Sequence, residues 1–220
     1  MTEVLAPIAF MAMTGGIAVL GHYPHTYSTA SKRAVDLALG GLALVLGLPI
    51  LAVCALMVKL SSRGPLLFSQ IRVGKNGKLF RMYKFRTMTV DAESDTGAVW
   101  ATRKDPRVIP ACRWMRISHM DELPQIFHVL AGTMSLVGPR PERPCILAEL
   151  EDHYPNVRER LAVKPGITGL AQVRNGYDSS IESFRHKLAA DLEYIEGVGV
   201  LADLKIMFLT VTKVYDRKAC

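Results

Sequence analysis

The pattern of apolar and polar positions divides the chain into a hydrophobic front and a mixed remainder. Residues 4–20, VLAPIAFMAMTGGIAVL, form a first apolar run that Pro7 and the Gly15-Gly16 pair weaken as a helix. It is barely long enough to span a bilayer. It makes a poor signal peptide, because Glu3 and no Lys or Arg precedes it. Residues 37–58, LALGGLALVLGLPILAVCALMV, carry no charge at all. At about 1.5 Å per residue, such a helix just crosses a hydrocarbon core. Lys32 and Arg33 precede it, and Lys59 and Arg63 follow it. Lys and Arg mark the cytoplasmic side of a membrane segment, and here both flanks carry the mark. Pro49 lies in the run and removes one backbone hydrogen bond, which permits a bend. The pattern fits either a helix that dips into one leaflet and returns, or a span with two stray cations.

Beyond the front the period changes. Residues 66–86, LLFSQIRVGKNGKLFRMYKFR, predict a β-hairpin, with Asn76-Gly77 supplying the left-handed turn. The period of two puts Lys84 and Arg86 on one strand face. Residues 87–105 are mixed and polar and predict a loop or lid. Helices are expected over 119–131 and 145–161, and a turn-rich loop over 164–169, KPGITG. Near the end, Leu201, Leu204, Met207, Phe208, Val211, Val214 and Tyr215 recur at helical spacing. That helix buries one face, against either a protein core or a membrane interface.

Composition narrows the partners. The 220 residues carry a net charge of +7, and half are hydrophobic. Mean hydropathy is positive, which points to membrane association. The basic excess calls for an anionic partner. Aromatic residues are 7% and no RNA-binding or helix-turn-helix pattern appears, so nucleic acid is not expected. Cys54, Cys112, Cys145 and Cys220 are widely spread, which fits reduced thiols better than a disulfide framework or zinc site. His22 and His25 lack further ligands and predict no metal site.

The stretch HMDELPQIFHVL, residues 119–130, sets Asp121 and Glu122 side by side. Neighbours on a helix point about 100° apart, so the two cannot share one proton face to face. One reading is structural: Ser118 and Asp121 form a capping box, with Pro124 in the first turn. The other is chemical. Arg113 and Arg116 lie upstream, and GPRPE downstream holds Arg140 between two prolines. A pre-set Arg fork suits a phosphate, and a carboxylate among arginines is held ionised. An ionised Asp can attack phosphorus, and Mg²⁺ would relieve its repulsion from substrate phosphates.

Five stretches in order, KRAVDLALGG with LPI, GPLLFSQIRVGKNGKLFRMYKFRTM, DPRV, MDELPQIFHVLAGTMSLVGPRPE and VKPGITGLAQV, resemble the bacterial sugar transferase family in its short form. These are monotopic polyprenyl-phosphate phosphoglycosyl transferases. The resemblance runs from Lys32 to the C-terminus. It implies a mainly helical α/β fold: a re-entrant membrane helix hairpin over residues 32–62, and a compact cytoplasmic catalytic domain over residues 63–220 with a β-hairpin and interfacial amphipathic helices. Residues 1–31 are an N-terminal extension that matches nothing in the family pattern. The resemblance further implies transfer of a sugar-1-phosphate from a UDP-sugar to undecaprenyl phosphate, releasing UMP. Asp121 would be the nucleophile, forming a phosphosugar intermediate, with Glu122 and Mg²⁺ (or Mn²⁺) assisting. Both acids are candidate metal ligands. Arg116, Arg140, Lys84 and Arg86 would contact phosphates, and Thr168 and Gln172 nucleotide or sugar. The expected setting is the bacterial inner membrane, with the catalytic domain on its cytoplasmic face. Membrane lipid is then a partner, and a homo-oligomer is open. Leu48 and His119 depart from the family pattern, which has Ser and a smaller residue there. The rival reading is a polybasic membrane adaptor, which would need neither the acid pair nor GPRP.

Overall fold

The structure, a computed structural model, describes residues 29–90, 92, 105–175 and 181–214. The first apolar run, most of the polar loop and the His22/His25 pair lie outside them. The described elements run α1 (Thr29–Ser61), β1 (Leu67–Val73), β2 (Leu79–Phe85), α2 (Arg113–Ile117), α3 (Ile126–Ala131), β3 (Ser135–Val137), α4 (Pro144–His153), β4 (Gly166–Thr168), α5 (Leu170–Asn175), α6 (Ile181–Glu196) and α7 (Val200–Val214). The described residues are mainly helical, with two small two-stranded sheets.

The charge-free run forms α1, 33 residues that stay helical through Pro49. One face lies along the rest of the molecule. Near its start, Lys32 bonds Asp203 of α7 at 2.6 Å and Tyr194 of α6 at 3.1 Å. Arg33 donates to the carbonyls of Val129 and Leu130, which end α3. The buried Asp36 accepts the Ser135 hydroxyl at 2.9 Å and the Leu136 amide at 3.0 Å. Near its far end, Cys54 and Val58 are fully buried among Phe85, Ile109, Cys112 and Met115. The stretch between is open: Val45, Leu46, Leu48 and Ile50 are exposed.

The predicted hairpin forms with Leu67 opposite Phe85 and Val73 opposite Leu79. Asn76 (φ 56°) and Gly77 (φ 76°) make its turn. Two other expectations change. The helix over 145–161 stops at His153, because Pro155 cannot continue it, and resumes as a 3-10 segment, Val157–Ala162. The KPGITG loop contains a strand, β4, that pairs in parallel with β3. Periodicity cannot reveal a three-residue strand whose partner is 31 positions away (Ser135 to Gly166).

The C-terminal helix is also two-sided. Ala202, Asp203 and Ile206 are buried, while Leu201, Leu204, Phe208 and Val211 of the predicted stripe are exposed. The polar Asp203 is buried because it pairs with Lys32 and Tyr194. Among the described residues the core is assembled in four clusters. The largest joins Val137, Leu170, Val173, Tyr194 and Ile206, and so ties β3, α5, α6 and α7 together.

Candidate active site

The acid pair sits in a 3-10 segment, Met120–Gln125, between α2 and α3. Two local features force the turn. His119 is left-handed (φ 56°), a conformation that favours a small residue, and Pro124 follows. The capping box does not form: the Ser118 hydroxyl turns back to the Trp114 carbonyl at 2.8 Å. Asp121 is buried and Glu122 partly so. Strand β2 packs against this segment and brings Lys84 to it.

The second wall is the GPRPE stretch. Its two prolines have no N–H, so it cannot run as an ordinary ladder strand. Its carbonyls are instead held one by one. Gly166 N bonds Pro139 O, Arg160 Nη2 bonds Arg140 O, Arg72 Nη1 bonds Pro141 O and Val73 N bonds Glu142 O, each at 2.9 Å. Gly138 N adds a bond to Thr168 O, also 2.9 Å. Close approach makes this possible: a Cβ on Gly166 would lie 2.1 Å from Gly138 N, and one on Gly138 would lie 2.4 Å from Lys164 O. Only hydrogen side chains fit there.

From this fixed backbone the Arg140 fork reaches Glu122, Nη1 meeting Oε2 at 2.9 Å and Nη2 meeting Oε1. Burial alone would raise the Glu122 carboxyl. Arg140, by charge and hydrogen bond, with Lys84 and His119, overcomes this and holds it at about 2. Asp121 goes the other way. Burial and the neighbouring Glu122 charge push it up, against Lys84, Arg116 and His119. Among the described residues, the arginine fork at bonding distance reaches Glu122, whose carboxyl is lowered, while that of Asp121 is shifted up. Among the described residues no hydrogen bond ties down the Asp121 carboxylate. Lys84 is shifted down, first by its own burial, with the two acids opposing and Arg116 and Arg140 adding to it.

The predicted residues thus divide. Asp121, Glu122, Lys84, Arg116 and Arg140 share one site. Arg116 also faces Thr87, at 3.5 Å. Arg86 is placed elsewhere: its nitrogens bond the carbonyls of Pro65 (2.6 Å), Arg63 (3.2 Å) and Ser62 (3.0 Å), where α1 gives way to the hairpin. The strand-face argument fails for it because β2 ends at Phe85. The Thr168 hydroxyl pairs with Thr210 of α7 at 2.7 Å, and Gln172 bonds Ile167 O at 3.3 Å. No hydrogen bond joins either to the acid pair. Among the described residues no three His, Cys, Asp or Glu side chains gather as a metal site. Sequence reasoning missed Arg160, Asp191, Arg72 and Asp36, which are buried or half-buried. Their signal was a charge in otherwise apolar surroundings, clearest for Asp36 inside the long apolar helix.

The fold and site define a helix-anchored domain that gathers cations around an acid pair. The chain belongs to the bacterial sugar transferase family, whose profile matches residues 27–217. It is 42% identical over 190 residues, 86% of this chain, to a UDP-glucose:undecaprenyl-phosphate glucose-1-phosphate transferase of Klebsiella pneumoniae, covering 41% of that protein. A protein of the same name from Caulobacter vibrioides is 40% identical over 197 residues, 87% of this chain and 72% of its own length. The exopolysaccharide production protein PSS of Rhizobium leguminosarum bv. phaseoli is 38% identical over 191 residues, 84% of this chain and 96% of its own length. The chain spans about two fifths of the length of the longer relatives.

Proposed function

We propose that this protein is a phosphoglycosyl transferase that moves a sugar-1-phosphate from a UDP-sugar to undecaprenyl phosphate. The observation that carries this reading is the unequal acid pair. Glu122 is neutralised by a bidentate arginine, while Asp121 beside it carries no hydrogen bond among the described residues and faces Lys84 and Arg116. A buried carboxylate with few hydrogen bonds is a stronger nucleophile once ionised. One Asp121 oxygen attacks the β-phosphorus of the UDP-sugar. The bond from that phosphorus to the bridging oxygen breaks, and UMP leaves with the electron pair. An acyl-phosphate joins the sugar to Asp121. A phosphate oxygen of undecaprenyl phosphate then attacks the same phosphorus, and the Asp121 carboxylate is released. Lys84 and Arg116 balance charge on the transferring phosphoryl oxygens, and Arg140 keeps Glu122 ionised and fixed. The relatives named as UDP-glucose:undecaprenyl-phosphate glucose-1-phosphate transferases support the substrate pair.

The donor set suits Mg²⁺, which is usually held by one or two carboxylates together with substrate phosphates. Asp121 and Glu122 would hold it. Bound there, the ion would neutralise charge on the diphosphate of the donor. Exhaustive EDTA treatment is expected to abolish turnover, and Mg²⁺ or Mn²⁺ to restore it. Activity unchanged by EDTA would argue against the ion.

The apolar helix α1 supports a membrane setting. Its N-terminal flank and its C-terminal third both pack on the same domain, and its middle is exposed and apolar. A straight crossing would draw that domain into the bilayer. We therefore place α1 as a segment that enters and leaves on one face, with the domain on the cytoplasmic side of a bacterial inner membrane. The exposed stripe of α7, tied to the start of α1 through Lys32–Asp203, lies in the interface.

The test is UMP release by the full chain, given undecaprenyl phosphate and a panel of UDP-sugars. One donor should turn over, and Asp121→Asn should lose turnover while keeping membrane binding. Full activity in that variant would remove Asp121 from the chemistry.

A further inference from the structure

The guanidinium of Arg160 is buried in the 3-10 segment Val157–Ala162, with its side chain 1% exposed. Nε and Nη2 bond Asp191 Oδ2 at 3.0 and 2.6 Å, and Nη1 lies 3.5 Å from Glu142 Oε1. Glu142 also takes Lys187 at 2.5 Å and faces Arg72 at 3.9 Å. Phe184, Lys187 and Asp191 share one face of α6, and the Phe184 ring lies 5.4 Å from Arg160 Cζ and 5.3 Å from Lys187 Nζ. Buried ion clusters are a poor source of net stability, since apolar residues of like volume often do as well. What such a cluster supplies is geometry. From this cluster Arg160 Nη2 bonds the Arg140 carbonyl and Arg72 Nη1 the Pro141 carbonyl, each at 2.9 Å.

We propose that Arg160 is a positioning residue, which fixes the main chain of Arg140 and through it the Arg140–Glu122 pair. The kinetic part of this proposal rests on the phosphosugar-transfer reading above; the structural part does not. The Arg140 side chain is long and leaves the backbone between two prolines, whose carbonyls are fixed by Gly166 and Arg72. The Arg140 peptide itself is held on its carbonyl side by Arg160. Without that bond, the peptide plane can tip between its neighbours, and a small tilt at the backbone moves the fork by a large part of an ångström. Misplacement on that scale can cost about 100-fold in rate. α6 thereby acts on the site through Arg160.

The test uses Arg160→Lys in the full chain. Lysine keeps the charge against Asp191 but cannot bridge Asp191 and the Arg140 carbonyl in one plane. The first readout is ¹⁵N NMR of the arginine side chains in nanodiscs. Arg140 should show hindered guanidinium rotation in the parent protein and free rotation in Arg160→Lys. Unchanged Arg140 signals in the folded variant would overturn the proposal, whatever reaction the protein performs. The second readout is kinetic. Per folded molecule, kcat should fall about 10- to 100-fold with KM within about twofold. In an Arg140→Ala background, the same change should cost less than about threefold, because Arg160 acts through Arg140. Equal losses in both backgrounds would mean that Arg160 is structural only. A parent protein that turns over no UDP-sugar would overturn the reaction and leave the NMR result standing. If Arg160→Lys does not fold, Arg72→Gln removes the neighbouring bond to Pro141 O and takes the same two readouts, with a smaller loss of the same kind expected.

Discussion

Asp121 and Glu122 are one position apart, yet burial raises the first while Arg140 depresses the second. The difference follows from which oxygen atoms the single fork reaches. Arg140→Lys keeps a cation but loses the second contact, so kcat should fall about 100-fold with a smaller change in stability. A steady-state comparison at matched folded protein checks this. A second residue prediction concerns pH. Burial works to raise the Glu142 carboxyl, but Lys187, Arg160 and Arg72 hold it at about 2, below its ordinary 4.5. A depressed carboxyl stabilises the fold fully above its unfolded pKa, and the gain is lost as pH falls towards the folded value. The Tm gap between parent and Glu142→Gln should therefore be widest above about pH 5 and shrink towards about pH 3. A gap that stays constant over that window would mean Glu142 is not held by charge. Neither unequal titration nor the Glu142 cluster is legible in sequence, because both depend on contacts across 18 to 70 positions (Glu122 to Arg140, Arg72 to Glu142).

Among the elements, those with a local cause were legible. The hairpin is announced by Asn76-Gly77, and α1 by its uninterrupted apolar run. The acid pair was legible through its neighbours in the chain, Leu123-Pro124 and GPRPE. The β3–β4 pair was not, since it exists through the glycines that let two loops touch. Gly166→Ala would push a methyl group to 2.1 Å from Gly138 N. It should cost about 3 kcal/mol or more and lower Tm, and it should impair the site by moving GPRPE. Thermal unfolding with the UMP assay on the surviving fraction measures both. A Tm within about 1 °C of the parent would contradict the packing described.

At the scale of the whole molecule, two readings of α1 were open in the sequence: a return to the same face, or a crossing. Hydropathy and flanking charge cannot separate them. Both flanks pack on one domain, and the return proposed above rests on that packing. Ala30→Cys and Arg63→Cys, at exposed positions beyond the two ends of the apolar run, test it in a background lacking Cys145 and Cys220. Neither should react with a membrane-impermeant thiol reagent in intact cells, and both should react after permeabilisation. Labelling of Ala30→Cys alone in intact cells would establish a crossing.

The central claim is that Asp121 carries the sugar-phosphate between donor and acceptor. It is tested most directly by intact-protein mass spectrometry of the full chain, incubated with the productive UDP-sugar and without undecaprenyl phosphate. The account predicts a mass increase of one sugar-phosphate that maps to Asp121, disappears when undecaprenyl phosphate is added, and is absent in Asp121→Asn. UMP released at full rate on addition of acceptor, with no adduct at any time on a rapid-quench scale, would contradict it.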